Sequence, residues 1–218
     1  MPVLGYIVLV LCAYLLGSIP TGYLVARAKG IDIRTVGSGN IGATNAFRVL
    51  GTPAGIFVLL ADALKGYAAC IWLTDFLINA FGMHPDSLVT ERAFAGFAAI
   101  LGHTFTCWLH FKGGKGIATS AGVYFAVALP AAAIALGSWI ILFFATRYVS
   151  VASIVAAVAL PAGVWVFVGP GQSVALCLAT TALGAMVIWK HRMNIARLKA
   201  GTENRIDFSK KSAAGGKS

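Results

Sequence analysis

The chain has 218 residues, 59% of them hydrophobic and 11% charged, and a mean hydropathy of +0.84. Soluble domains carry about 25% charged residues, so this composition excludes a soluble enzyme and leaves room for little beyond membrane spans. The formal net charge of +10, from 17 Lys+Arg against 7 Asp+Glu, follows mostly from the tendency of cytoplasmic loops to collect Lys and Arg. An anionic substrate can account for part of the rest, and no nucleic-acid partner is needed.

The N-terminal apolar run from Pro2 to Leu16 has no preceding basic segment, and the first cation is Arg27. That order is the reverse of a signal peptide and predicts a first span over roughly 3–26 with its N-terminus outside. Pro20, within GSIPTGY (Gly17–Tyr23), predicts a kink there. After Arg27, Lys29, Asp32 and Arg34 comes a polar, glycine-punctuated run, GSGNIGATNAFR (Gly37–Arg48). Lipid offers such a run no partners, so it belongs in a loop, a water-filled cavity or a buried site. A second span is predicted over roughly 52–74, opened by Pro53 and carrying Asp62 and Lys65 on one face. Residues 75–91, with Pro85, Asp86 and Glu91, read as an external loop. A third span is predicted over roughly 92–111, with His103 inside it, followed by FKGGKG (Phe111–Gly116).

Ile117 to Ala145 carries no charge. As one straight helix it would run to about 44 Å at 1.5 Å per residue, much longer than the hydrocarbon core. Pro130 divides it into two predicted spans, roughly 117–129 and 131–146. Arg147–Ser150 reads as a loop, roughly 151–168 as the sixth span, GPGQ (Gly169–Gln172) as a turn and roughly 173–189 as the seventh. The tail opens with KHRMNIARLKAGTENR (Lys190–Arg205) and ends in a Ser/Lys/Gly-rich string expected to be disordered. Seven spans with the N-terminus outside put every Lys and Arg except Arg92 on the inner side, and six would put Arg147 and the basic tail outside. The expected fold is thus an all-α polytopic membrane protein of seven transmembrane helices with a cytoplasmic C-terminus.

That topology gathers the polar segments on one face, as a single site at the membrane boundary would. Glycines let backbone N–H groups converge on phosphate oxygens, and Arg48 can bind phosphate as a fork. If a helix begins near Asn40, then Asn40, Thr44 and Arg48 share one face; an ordinary polar loop is the plainer alternative. FKGGKG is no Walker A loop, because Gly116 follows Lys115, yet a glycine turn opening a helix can still hold phosphate; the alternative is a tight turn with inside-facing lysines. Asp62 and Lys65 are either functional or a neutralising pair. His103 reads first as a helix–helix contact. In the tail, His191, Asn194 and Arg197 repeat at three-residue intervals, with Glu203 beyond; a basic stop segment is the alternative. The four cysteines, Cys12, Cys70, Cys107 and Cys177, fall in apolar runs in no ligand spacing, so neither disulfide nor metal is implied. HExxH and GxSxG are absent, which leaves metal and serine-elbow chemistry unsupported.

Taken together, GSIPTGYLVAR, GSGNIGATNAFRVLG, DALKG (Asp62–Gly66), AILGHTF (Ala99–Phe105), FKGGKGIATSAG, RYVSVASI (Arg147–Ile154) and KHRMNIARLKAGTE resemble the bacterial acylphosphate–glycerol-3-phosphate acyltransferases of the PlsY type, over residues 17 to 203. The resemblance implies one transmembrane acyltransferase domain over 1–208, with 209–218 a tail, in the bacterial inner membrane with its active site on the cytoplasmic side. It implies transfer of a fatty acyl group from acyl phosphate to the 1-hydroxyl of glycerol 3-phosphate, giving lysophosphatidic acid and phosphate in phospholipid synthesis. No cofactor or metal is implied. The expected partners are the two substrates and membrane lipid, and the enzyme that makes acyl phosphate is a candidate.

An acyl phosphate is already activated, so positioning and charge stabilisation remain for the protein. On this reading Ser38, Asn40, Thr44, Asn45 and Arg48, with Gly37 and Gly39, hold one phosphate. Lys115, Lys112 and the glycines Gly113, Gly114 and Gly116 hold the other or stabilise the oxyanion. His191, Asn194, Ser150 and Arg197 orient glycerol 3-phosphate, with Glu203 shaping the site, and Asp62, Lys65 and His103 complete the expected surroundings. The expected catalytic set is Ser38, Arg48, Lys115, His191 and Asn194. The proton passes either to the acyl phosphate itself or to His103 or His191 as base. A small transporter or flippase for an anionic lipid or metabolite is the alternative function, and a lipid-phosphate phosphatase or phosphotransferase a third.

Overall fold

A computed structural model describes residues 2–84 and 88–206, and their regular structure is helical with no strand among them. Eleven α-helices follow in order: α1 Pro2–Ser18, α2 Thr21–Arg27, α3 Ala43–Leu50, α4 Thr52–Ala68, α5 Thr74–Phe81, α6 Leu88–Thr104, α7 Ile117–Val127, α8 Leu129–Thr146, α9 Val149–Phe167, α10 Gly169–Lys190 and α11 Arg192–Lys199. Among the described residues, five stretches are long and apolar enough to cross a membrane: Val3–Arg27, Thr52–Phe81, Leu129–Thr146, Val149–Phe167 and Gly169–Lys190. The apolar α7, of 11 residues, is shorter.

The first apolar stretch breaks at Ile19–Pro20, where the ring cannot donate. Lys65 Nζ donates to the Ile19 carbonyl at 2.8 Å, so a cation on α4 satisfies an acceptor at this break. Helix α4 continues through a π-turn, Ala69–Leu73, into α5. There the Thr74 hydroxyl donates to the Ala69 carbonyl, filling a gap in the ordinary ladder.

The expected loop at 75–91 is therefore corrected at both ends. Residues 74–81 are helical and stop at Gly82 in the left-handed conformation, a common helix terminus. Glu91 lies inside α6, and Arg92 pairs with Asp75 at 3.0 Å, so the polar residues that suggested a loop join two helices instead. Pro85 and Asp86, and the tail at 209–218, lie outside the described residues.

The expected third span runs too far. Helix α6 ends at Thr104, and a 3-10 turn, Cys107–Leu109, turns the chain back. His110 and Phe111 take left-handed φ of 52° and 59°, an unusual backbone for such side chains, and lay 112–114 against the end of α6. The division near Pro130 falls at Ala128, between α7 and α8. GPGQ, expected as a turn, is helical, because Pro170 suits a helix start. The break comes at Ser173, whose Oγ accepts from the Leu176 N–H and caps the long part of α10.

The bundle is held by close backbone approach. A Cβ on Gly122 would lie 1.8 Å from the Ala63 carbonyl oxygen, so only glycine lets α7 pack this tightly on α4. The largest apolar cluster joins α6, α7, α9 and α10 through Ile100, Val123, Tyr124, Val164, Leu176 and Leu183.

Candidate active site

One cavity of about 290 Å³ joins the loops after α2 and α6 and the start of α9 with α11 and the segment that follows it. Its polar end is lined by Ser38, Asn40, Thr44, Arg48, Lys115, Ser150, His191, Asn194 and Glu203. Asn45, Asp62, His103 and Gly116 also reach it. From there it continues between α7, α8, α9 and α10 along Phe125, Leu136, Trp139, Leu160 and Leu183.

Of the polar run, Ser38, Asn40, Thr44 and Arg48 face this space. The expected helix from Asn40 is corrected: α3 begins at Ala43, and Asn40 instead accepts from the Gly42 N–H at 2.8 Å. Thr44 and Arg48 remain one turn apart on α3, as an i, i+4 pair. Asn45 is buried and organises the loop. Its Nδ2 donates towards the carbonyls of Ile33, Val36 and Asn40, and its Oδ1 accepts from the Ser38 N–H. Gly37 has φ +62°, and a Cβ there would lie 2.2 Å from Asn45 Oδ1. Gly37 and Gly39 thus shape the loop from outside the cavity lining.

In FKGGKG the N–H of Gly113 donates to the Thr104 carbonyl and that of Gly114 to the His103 carbonyl. Those two donors are spent on the C-terminal end of α6, so they are withdrawn from the expected phosphate cradle. What the turn delivers is Lys115, and Gly116 at the start of α7. Lys112 is exposed and outside the lining.

Lys115 Nζ donates to Asn194 Oδ1. Asn194 Nδ2 donates to Glu203 Oε1 at 2.7 Å, and Arg197 Nε to Glu203 Oε2 at 2.7 Å. Arg197 is thereby behind the cavity wall, acting on it through Glu203. Arg48 donates to the Asn204 carbonyl at 3.3 Å, Arg205 to that of Thr146, and the Ile206 N–H to that of Arg147. Residues 203–206 therefore strap α3 to the loop after α8.

Burial pushes Lys115 down to about 8; Glu203 opposes that shift, and Arg197 and Arg48 add to it. Burial also lowers Arg48, again opposed by Glu203. Burial would raise Glu203, but bonds from Asn194 and Arg197 hold it below the usual carboxylate range. His191 Nδ1 lies 2.8 Å from the Val187 carbonyl. A carbonyl only accepts, so Nδ1 carries the proton and Nε2 is left as an acceptor. Burial, with repulsion from Lys115, takes this ring down to about 4, and it is neutral at pH 7.

Asp62 and Lys65, expected as functional or structural, form a buried pair at 2.8 Å with exposures of 2% and 6%. Asp62 also accepts from Thr21 and lies 3.6 Å from His103 Nδ1. Asp62 and His103 border the cavity, while Lys65 faces Ile19. The apolar wall was invisible residue by residue, because Trp139 or Leu160 looks like any other residue in an oily span. Among the described residues no cluster of three or more His, Cys, Asp or Glu could hold a metal.

A polar, cation-lined end opening into an apolar trench within a helical bundle defines an integral membrane protein whose cavity has one polar and one apolar part. Comparison with known proteins gives the family. The model of the glycerol-3-phosphate acyltransferase family matches residues 7–201, and the chain belongs to that family. It is 46% identical to the glycerol-3-phosphate acyltransferase of Geotalea daltonii over 198 residues, covering 91% of this chain and 96% of that one. It is 43% identical to that of Aquifex aeolicus over 198 residues, covering 91% and 97%. It is similar to a crystal structure of PlsY (YgiH), an integral membrane glycerol 3-phosphate acyltransferase, in its glycerol 3-phosphate form. The TM-score is 0.81 at 40% identity, covering 93% of this chain and 96% of that one. For the lysophosphatidic acid form the TM-score is 0.78 at 40% identity, covering 93% and 95%.

Proposed function

We propose that this protein transfers a fatty acyl group from acyl phosphate to the 1-hydroxyl of glycerol 3-phosphate, releasing lysophosphatidic acid and phosphate. The observation that carries the reading is the two-natured cavity, with Arg48 and Lys115 at one end and Leu136, Trp139 and Leu160 along the other. An acyl phosphate has both natures, and glycerol 3-phosphate needs only the polar end.

The glycerol hydroxyl oxygen attacks the acyl carbonyl carbon, forming the ester bond as the carbonyl–phosphate oxygen bond breaks. The hydroxyl proton leaves with the phosphate. Lys115 and Arg48 hold the two phosphates and the charge that develops between them. Asn194, its amide fixed by Glu203, and Ser150 position glycerol 3-phosphate. His191 Nε2 accepts the hydroxyl's hydrogen bond and orients it. A ring with pKa about 4 is a weak base at neutral pH, and a phosphate is the better proton acceptor. Ser38, Asn40 and Thr44 supply further donors on the α3 side.

The site lies at the cytoplasmic face of a seven-span protein with its N-terminus outside, in the bacterial inner membrane. The distribution of Lys and Arg supports this orientation. An enzyme that makes acyl phosphate is the supplier this reaction requires. A transporter would hold its ligand near the bilayer midplane and show repeat symmetry, whereas the polar groups here gather at one end of the bundle. The test is purified protein with acyl phosphate and glycerol 3-phosphate, following phosphate release without metal, coenzyme A or other addition. Release with a matching yield of lysophosphatidic acid is expected, and no release would overturn the reading.

A further inference from the structure

The bundle holds a second cavity, of about 210 Å³, between α6, α7 and α10. Its lining is almost wholly apolar, with Phe94, Phe97, Ile100 and Leu176 among its walls and Thr90 and Ser173 as its polar members. One residue lines both this cavity and the main one: Tyr124. Its side chain is 2% exposed. Its hydroxyl donates to Thr180 Oγ1 at 2.7 Å, and Thr180 donates in turn to the Leu176 carbonyl. The ring is thus pinned between α7 and α10 by a chain of two hydrogen bonds. From Ile117, where α7 begins at the polar end, the helix rises about 10 Å to Tyr124 at 1.5 Å per residue, so this residue stands partway along the trench.

We propose that Tyr124 is the partition that sets acyl-chain length, closing the main trench off from a second cavity that would otherwise take the end of a longer chain. The proposal rests on the acyl phosphate reading above. A pinned aromatic ring suits the task. A flexible aliphatic side chain would yield to a longer chain by rotamer change, whereas moving Tyr124 breaks a buried hydrogen bond. A chain that ends before the ring needs no second space, and a longer one must displace the ring to enter it. Removing the ring joins the two spaces, so that the end of a longer chain can lie against the apolar walls of the second one.

The test is kcat/KM with glycerol 3-phosphate and a homologous series of saturated acyl phosphates, from lauroyl to arachidoyl, in detergent. The wild type is expected to pass through a maximum and fall for the longest donors. Tyr124→Ala, and to a smaller degree Tyr124→Leu, should move the maximum to longer chains and raise the long-to-short ratio. Tyr124→Phe, which keeps the ring but loses its hydrogen bond to Thr180, should shift the profile less than Tyr124→Leu. Ala179→Phe, which fills the second cavity, should return the Tyr124→Ala profile towards wild type. A wild-type profile with no fall at long chains overturns the proposal without recourse to any variant. So does an unshifted profile in Tyr124→Ala or Tyr124→Leu that still turns over the shortest donor. Failure of the wild type to release phosphate from any donor would instead overturn the acyl phosphate reading itself.

Discussion

Asn194 Nδ2 donates to Glu203 Oε1 at 2.7 Å, and that bond decides which end of the amide faces Lys115. The carboxylate can only accept, so it takes the NH₂ group and leaves Oδ1 for the ammonium. A residue from the tail thereby sets the orientation of a side chain that holds the lysine of the glycine turn. Asn194→Asp should break this order, since Asp and Glu203 would repel and the new carboxylate would compete with phosphate for Lys115. We expect a loss of about a hundredfold or more in kcat/KM, with helix content by circular dichroism unchanged. Glu203→Gln should cost less, because a side-chain amide oxygen can still accept from Asn194.

Lys115 gives the reaction an alkaline limit. Burial lowers it to about 8, so the free enzyme carries this charge below that pH and loses it above. The phosphate-binding role predicts that kcat/KM falls as pH rises through about 8. Lys115→Arg stays charged throughout, so its residual activity should lose that alkaline limb. Lys115→Ala should lose nearly all activity. Steady-state rates between pH 6 and 10, roughly, read out both.

The histidines separate the two proton routes. With the proton leaving on phosphate, His191→Gln should raise KM for glycerol 3-phosphate and keep kcat within about tenfold, and His103→Gln should do the same or less. Arg48→Ala should lose kcat by far more. Should either histidine change alone abolish kcat with KM intact, the histidine is the base and the substrate-assisted route fails.

Asp62 and Lys65 carry a stability prediction. Lys65→Met leaves a buried carboxylate without its cation and the Ile19 carbonyl without that donor. Breaking one partner of such a pair costs about 3–5 kcal/mol. Thermal unfolding in detergent should show the single change lowering the midpoint more than the double change Asp62→Asn with Lys65→Met.

Much of the fold was legible because the bilayer enforces long apolar runs and proline and glycine punctuate them. The break at Pro20, the division beside Pro130 and the apolar stretches all follow from residue type in order. The boundaries at 74–91 and 104–111 did not, because Asp75 and Arg92 satisfy one another, and a polar residue with a partner need not be in a loop. The polar motifs were legible as a set, but their division of labour was not. Asn45, Gly113 and Gly114 have the chemistry of phosphate ligands, and the structure gives their hydrogen bonds to the backbone.

The sequence by itself determined that the chain is a helical membrane protein and which polar segments stand out from its oily spans, because lipid tolerates such residues only where they have partners or a purpose. The tertiary structure alone decided that Glu203 governs Asn194, that Lys65 supports a broken helix outside the cavity, and that Tyr124 stands between two apolar spaces. These are relations between residues far apart in the chain. They depend on helix rotation and close backbone contact, which no local pattern of residue types encodes.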